Sequence, residues 1–179
     1  MIEIPHLTTP RLILREFRER DFESYAAMMG DPEVTRYLGD GRPLGRGDAW
    51  RQLAMFIGHW SLRGFGLWAV EERATRAFAG RIGCMEPEDR PGFAISYTLA
   101  RPFWGKGYAR EGAAAALDFA RTVLHRERIL SLIRPGNAGS IRVAESLGAS
   151  PDGEVELSGS PVRIYVYPSE LAPQSGGAA

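Results

Sequence analysis

The chain has a single cysteine, a single lysine, no excess of either charge and no long apolar run. Cys84 stands alone, so a disulfide within the chain and a multi-cysteine metal site are both excluded. No stretch approaches the ~20 consecutive apolar residues that a membrane-spanning helix needs. The opening MIEIPHLTTP lacks the charged-then-apolar layout of a signal peptide. The 22 basic and 22 acidic side chains cancel to zero formal charge, so nothing advertises nucleic acid or an anionic membrane surface as a partner. The composition therefore predicts a cytoplasmic protein that binds neither. Nearly all the basic residues are arginine, as a codon bias would produce. Lys106, the one lysine, falls inside a glycine-rich segment, Gly105-Lys106-Gly107.

What is present is an ordinary globular pattern. A chain of 179 residues, 44% of them hydrophobic, suits one domain with a single sizeable core. We expect that domain over 1–167, followed by a flexible tail over 168–179, where small and polar residues gather with Pro and Gly. Hydrophobic spacing predicts a strand at 12–15, then a helix from Asp21 to about Met29, with Asp21 as its cap. A short helical turn at 33–37 and a Gly/Arg-rich loop at 39–47 come next. Asp48 then caps a second long helix to about Arg63 that buries Trp50, Leu53, Ala54, Ile57 and Trp60. Strands at 67–71, 78–86 and 93–100, joined by tight polar turns, form an antiparallel meander. A helix from about 107 to 124 precedes a strand at 128–134, a helix capped by Asn137 and closed by Gly148, and two last strands. The helix crossover between the strands at Leu99 and Leu130 predicts one parallel pair in a mostly antiparallel sheet. The fold class is α+β.

The segment Trp104-Gly105-Lys106-Gly107-Tyr108-Ala109 joins a strand to a helix. This places unpaired backbone N–H groups and the positive end of the helix dipole together, where anions, and diphosphates above all, are bound. A dinucleotide fingerprint would need a third glycine at 110, which is arginine, and a βαβ unit that the meander does not supply. No G-x-x-x-x-G-K-[ST] spacing occurs, so a P-loop nucleotide site is excluded too.

In this setting WGKGYARE resembles the cofactor motif of the GNAT acetyltransferase superfamily. TPRLILREF, FAGRIGCME, FAISYTL and NAGSIRVAESLGA resemble its RimJ/RimL-like branch, in the right order over roughly residues 8 to 167. The resemblance implies a mixed sheet with a splayed strand pair, flanked by helices, and acetyl-CoA as acyl donor. Residue by residue, it implies cofactor contacts from Thr98, Leu99, Gly105, Lys106, Gly107, Tyr108, Ala109, Arg110, Asn137 and Ser140. Tyr97 would lie close by. Trp104 replaces the Gln or Arg that opens the superfamily motif, which shifts the grip on the phosphates towards backbone donors and towards Lys106 or Arg110.

The implied reaction is direct attack of a neutral primary amine, on a peptide N-terminus or a small molecule, at the thioester carbonyl. Backbone N–H groups of the splayed strand would stabilise the oxyanion. Some superfamily members protonate the leaving thiolate with a tyrosine in the helix after Asn137; residues 137–148 hold none, which leaves Ser140 as the hydroxyl there. Many relatives carry a glutamate where Ala94 stands. If Ala94 faces Cys84 across the hairpin, Glu86 lies nearby and becomes the candidate base. An α-amino group, with pKa near ~8, would need little help from a base. Tyr25, Tyr37 and Trp68 are the acceptor-pocket candidates. A non-catalytic acyl-CoA-binding or sensor domain on the same scaffold is the alternative reading. The oligomeric state is left open, a homodimer included.

Overall fold

A computed structural model describes residues 3–88 and 90–169. The tail expected at 168–179 lies outside them, apart from Pro168 and Ser169. The chain runs β1 (Leu7–Thr8), β2 (Leu12–Arg15), α1 (Phe22–Met29), α2 (Pro32–Thr35), α3 (Arg46–Arg63), β3 (Leu67–Glu72), β4 (Phe78–Met85), β5 (Ala94–Leu99), α4 (Tyr108–Thr122), β6 (Leu130–Ile133), α5 (Ala138–Ser146), β7 (Ser150–Leu157) and β8 (Ser160–Val166). The strands form one eight-stranded sheet in the order β1-β2-β3-β4-β5-β6-β8-β7. Every neighbouring pair is antiparallel except β5 and β6. The fold is α+β with one parallel pair, and no described helix is long and apolar enough to cross a membrane.

β5 keeps a continuous ladder with β4, from Gly80↔Leu99 to Met85↔Ala94. With β6 it shares a single register position, Ala94↔Leu130. Beyond that position the two strands part. The buried Ser131 hydroxyl donates to the Ile95 carbonyl at 2.9 Å and so bridges the base of the gap.

The sheet is sandwiched. On one face α4 lays down Ala113, Ala116, Leu117 and Ala120, all fully buried, beside Trp68, Ile82 and Cys84. Small residues on this stripe let the helix approach the strands closely. On the other face α1 and α3 enclose an aromatic cluster of Phe17, Tyr25 and Phe56.

The structure departs from the pattern in two helices. α3 starts at Arg46 behind Gly45, with Asp48 already inside its first turn and paired to Arg51. Its buried set is Ala49, Leu53, Phe56, His59 and Trp60, while Trp50 and Ile57 are 59% and 42% exposed. Leu53 and Trp60 are buried as expected, but apolar residues occupy two adjoining arcs of this helix, and periodicity alone centred the stripe on the wrong one. Phe56 decides the phase, because it completes the ring cluster with Phe17 and Tyr25. Asp21 makes no side-chain cap on α1. Its carboxylate takes two hydrogen bonds from the buried Arg15 guanidinium, at 2.7 and 2.8 Å, and one from the Arg18 N–H. A buried charge needs its partner more than a helix end needs a cap.

Gly80 sets how closely β4 and β5 approach: a Cβ there would stand 2.2 Å from the Thr98 carbonyl oxygen, which is backbone and cannot step aside. Gly80→Ala should therefore destabilise by about 1–3 kcal/mol, as overpacking does. Gly58, within α3, has open space at its Cβ position. Gly58→Ala should stabilise by roughly 0.5–1 kcal/mol. Urea unfolding of the two variants checks both signs.

Candidate active site

Past Leu99 the chain makes one 3-10 turn, Arg101–Phe103, and enters the glycine loop. Gly105 and Gly107 adopt left-handed φ values of 73° and 78°, which a side chain would disfavour. Gly107 is the N-cap of α4 and offers no side-chain cap. The first N–H groups of this 15-residue helix therefore point outward unpaired, at the positive end of its dipole.

The loop is pinned from the far end of the sequence. The Glu111 carboxylate accepts from the Thr9 hydroxyl at 2.6 Å, the Arg11 N–H at 2.8 Å and Arg11 Nε at 2.6 Å. Arg11 Nη1 then donates to the Lys106 carbonyl at 2.8 Å, and its guanidinium lies 4.8 Å over the Tyr108 ring. Tyr108 in turn donates its hydroxyl to Glu72 at 2.6 Å.

The loop opens onto a cleft of about 700 Å³. One wall is β5, through Tyr97, Thr98 and Leu99; the facing wall is the start of α5, through Asn137, Ser140 and Arg142. Asn137 caps α5 by accepting the Ser140 N–H at 3.2 Å. Tyr97 spans the space between the walls and donates its hydroxyl to the Ser140 carbonyl at 2.8 Å. Burial, aided by the neighbouring Tyr167, pushes the Tyr97 hydroxyl well above the ordinary phenol range, so it keeps its proton. The Trp104 indole N–H donates to the Leu99 carbonyl at 2.7 Å, with the ring half exposed over the cleft. The roof comes from Glu33, Arg36 and Tyr37, and a Cβ on Gly136 would touch the Tyr37 ring at 3.6 Å.

A parted parallel strand pair beside an uncapped helix start, with an asparagine-capped helix facing it, is the layout the sequence resemblance implied. Residues 11–150 match the family described as an acetyltransferase (GNAT) domain. The chain belongs to the GNAT acetyltransferases. It is 31% identical, over 90% of this chain and 93% of the other, to the uncharacterized N-acetyltransferase p20 of Bacillus licheniformis. An acetyltransferase structure from Agrobacterium tumefaciens str. C58 superposes with a TM-score of 0.83 at 29% identity, covering 93% of this chain and 96% of that one. RimL, a ribosomal L7/L12 alpha-N-protein acetyltransferase in complex with coenzyme A, shares the fold with a TM-score of 0.72 at 17% identity, over 90% and 97% of the two chains.

In this GNAT acetyltransferase the cleft gathers Thr98, Leu99, Gly105, Gly107, Tyr108, Ala109, Arg110, Asn137, Ser140 and Tyr37. Four of the sequence candidates lie elsewhere. Lys106 turns back from the opening, 3.5 Å from Glu72 and above the Phe103 and Tyr108 rings. Tyr25 is fully buried and donates to Gln52. Trp68 is core as well, its indole N–H donating to the Pro5 carbonyl at 2.7 Å. Glu86 sits at the opposite end of the hairpin and pairs with Arg126 at 3.2 Å. The hairpin register is also one residue from the expected one: Ala94 pairs with Met85, and Cys84 with Ile95. Ala94 and Cys84 consequently face opposite sides of the sheet. Ile82 pairs with Tyr97 at the cleft, and Glu86 lies four residues, about 13 Å of strand, beyond it.

Sequence reasoning passed over Glu33, Arg36 and Arg142 as site residues. Arg142 was findable, since Gly139, Arg142, Val143 and Ser146 share one helical face after the Asn137 cap. Glu33 and Arg36 come to the cleft only through tertiary packing.

Burial alone would raise the Glu111 carboxyl, but hydrogen bonds from Thr9 and Arg11, with the Arg11 charge, hold it below its ordinary value. A depressed carboxyl stabilises the fold above the unfolded-state pKa of ~4.3, and that stability fades as pH falls through the depressed value. Glu111→Gln should cost about 1–3 kcal/mol at pH 7, a gap in melting temperature that narrows steadily below pH ~4.3. Thermal melts from pH 7 down to pH 3 check this.

Proposed function

We propose that this protein transfers the acetyl group of acetyl-CoA to a primary amine of a peptide N-terminus or a small molecule, in the manner of the RimJ/RimL-like branch. One observation carries the reading: a single cleft joins an uncapped helix start to the open edge of a parted strand. A diphosphate suits the first and an extended amide-bearing arm suits the second, added like one more strand. Coenzyme A combines both features. The complex of RimL with coenzyme A supports the same donor here.

When the donor is bound, its thioester supplies the activated carbonyl. The Leu99 N–H, on the side of β5 turned away from β4, receives the developing oxyanion, while the Thr98 N–H is turned into the β4 ladder. Attack forms the C–N bond, loss of the C–S bond releases the thiol, and the proton given up by the amine balances the thiolate. Of the two hydroxyls beside α5, Tyr97 already donates to a carbonyl, whereas Ser140 has an uncommitted hydroxyl among the described residues. Ser140 is therefore the group that meets the leaving sulfur. Among the described residues Glu33 is the one carboxylate lining the cleft, and it replaces Glu86 as the candidate base. No observation favours the non-catalytic alternative.

Acetyl-CoA should raise the melting temperature by several degrees where NAD does not. Thiol release across a panel of amines should show turnover. Ser140→Ala should lower kcat by ten-fold or more with the acetyl-CoA shift retained, while Glu86→Gln stays within two-fold of the parent. Absence of both the shift and the released thiol would reject the function.

A further inference from the structure

Arg81 and Thr98 are the unexplained polar pair of this molecule. They are register partners on β4 and β5, so their side chains leave the same face of the sheet about 5 Å apart. Both are at least nine-tenths buried, at 6% and 8% exposure. Arg81 Nε and the Thr98 hydroxyl each lack a hydrogen-bond partner. The guanidinium lies 5.0 Å over the Phe56 ring and meets the neutral Tyr25 hydroxyl, but no carboxylate among the described residues faces its charge. The other buried arginine shows what is missing: Arg15 is held between Asp21 and Glu71. A buried guanidinium without a counter-ion is a costly feature to keep unless an anion arrives to meet it.

The position of the pair says where that anion would come from. Thr98 lines the cleft, and so do Val34 and Leu38, which pack into the aromatic cluster around Arg81. The cofactor loop lies at the end of β5, whereas Arg81 and Thr98 face the side covered by α1 and α3, under the roof that carries Glu33. Thr98 thus lines the cleft itself, and Arg81 lies directly behind it on the side of the roof.

We propose that Arg81 and Thr98 form an anion subsite that binds a carboxylate of the acceptor, so that the preferred substrates are amines carrying a carboxylate. This rests on the acetyltransferase reading above. The carboxylate would take a charge-assisted hydrogen bond from Arg81 Nε and a second from the Thr98 hydroxyl, which fixes the amine relative to the thioester. A free amino acid and a peptide N-terminus with an acidic second residue both offer this chemistry.

The test uses matched ligands, each amino acid beside its amide and each acidic peptide beside its Asn/Gln counterpart. The melting temperature of the coenzyme A-loaded protein should rise with the carboxylate member of a pair and not with the neutral one. Thiol release should favour the carboxylate member by ten-fold or more in kcat/KM, mainly through KM. Thr98→Val, nearly the same shape, and Arg81→Gln should bring that ratio near one, and in Arg81→Gln the shift caused by coenzyme A should be unchanged. Amino acids responding without peptides, or the reverse, identifies the source of the carboxylate. Equal shifts within pairs, no shift from any carboxylate, or a ratio that survives both substitutions would overturn the subsite. Should Arg81→Gln fail to fold, Thr98→Val decides. A carboxylate-specific shift without thiol release from any amine would uphold the subsite and reject the transferase reading instead.

Discussion

The parting of β5 from β6 is the constraint on which the remainder of this structure depends. A parallel pair normally satisfies its backbone groups along the whole shared length, yet here a single position, Ala94↔Leu130, is paired. The outer edge of β5 beyond it has amide groups whose natural partners have moved away, and such groups must find others. Two side chains supply some of them: Ser131 meets the Ile95 carbonyl and the Trp104 indole meets the Leu99 carbonyl. The rest of that edge remains open within the cleft. β4 stays fully laddered on the other side of β5, so the strand is rigid while exposed. A rigid open edge can receive a ligand without first being ordered, which removes part of the entropic cost of binding.

The glycine loop depends on the same parting, but its shape is imposed from elsewhere. Its own residues are free to bend, since Gly105 and Gly107 restrict little. What fixes them is Glu111, which reaches the corner between β1 and β2 and draws Arg11 onto the Lys106 carbonyl. That corner is held in turn by the β2–β3 ladder and by the buried set of Arg15, Asp21 and Glu71. A charge cluster near the N-terminus therefore acts on the geometry of a loop about a hundred residues later. The acidic residue at the loop's end matters as an anchor rather than for its charge towards a ligand.

This division explains what could be read from the sequence. Signals that act within a few residues were legible: the glycine loop and its helix, the Asn137 cap, the meander and the crossover that makes one pair parallel. Features that require two distant segments to choose each other were not. Asp21 resembles a helix cap until Arg15 claims it, and Lys106 resembles a phosphate ligand until Glu72 draws it back. Glu86 fell to a one-residue slip in register, which moves a side chain to the other face of a sheet. In α3 two apolar arcs had equal periodicity, and only the ring cluster beneath Phe56 distinguishes them. The site was thus legible where its elements are contiguous, and illegible where α2 is folded over it.

The chemistry of the cleft follows from charges that no local motif contains. Among the described residues its lining carries the exposed guanidiniums of Arg36, Arg110 and Arg142 against one carboxylate, Glu33. Such a field attracts a polyanionic cofactor and persists over roughly 8–10 Å at ordinary salt. It acts on an amine as well, because nearby cations disfavour the protonated form and lower its pKa. An α-amino group begins near ~8 and needs only a modest further shift to be largely neutral at physiological pH. A lysine side chain, near ~10.4, would need a far larger one. On the proposed reading, the missing carboxylate at Ala94 is then less a defect than a restriction on the acceptor, favouring amines that are weakly basic before they enter the cleft.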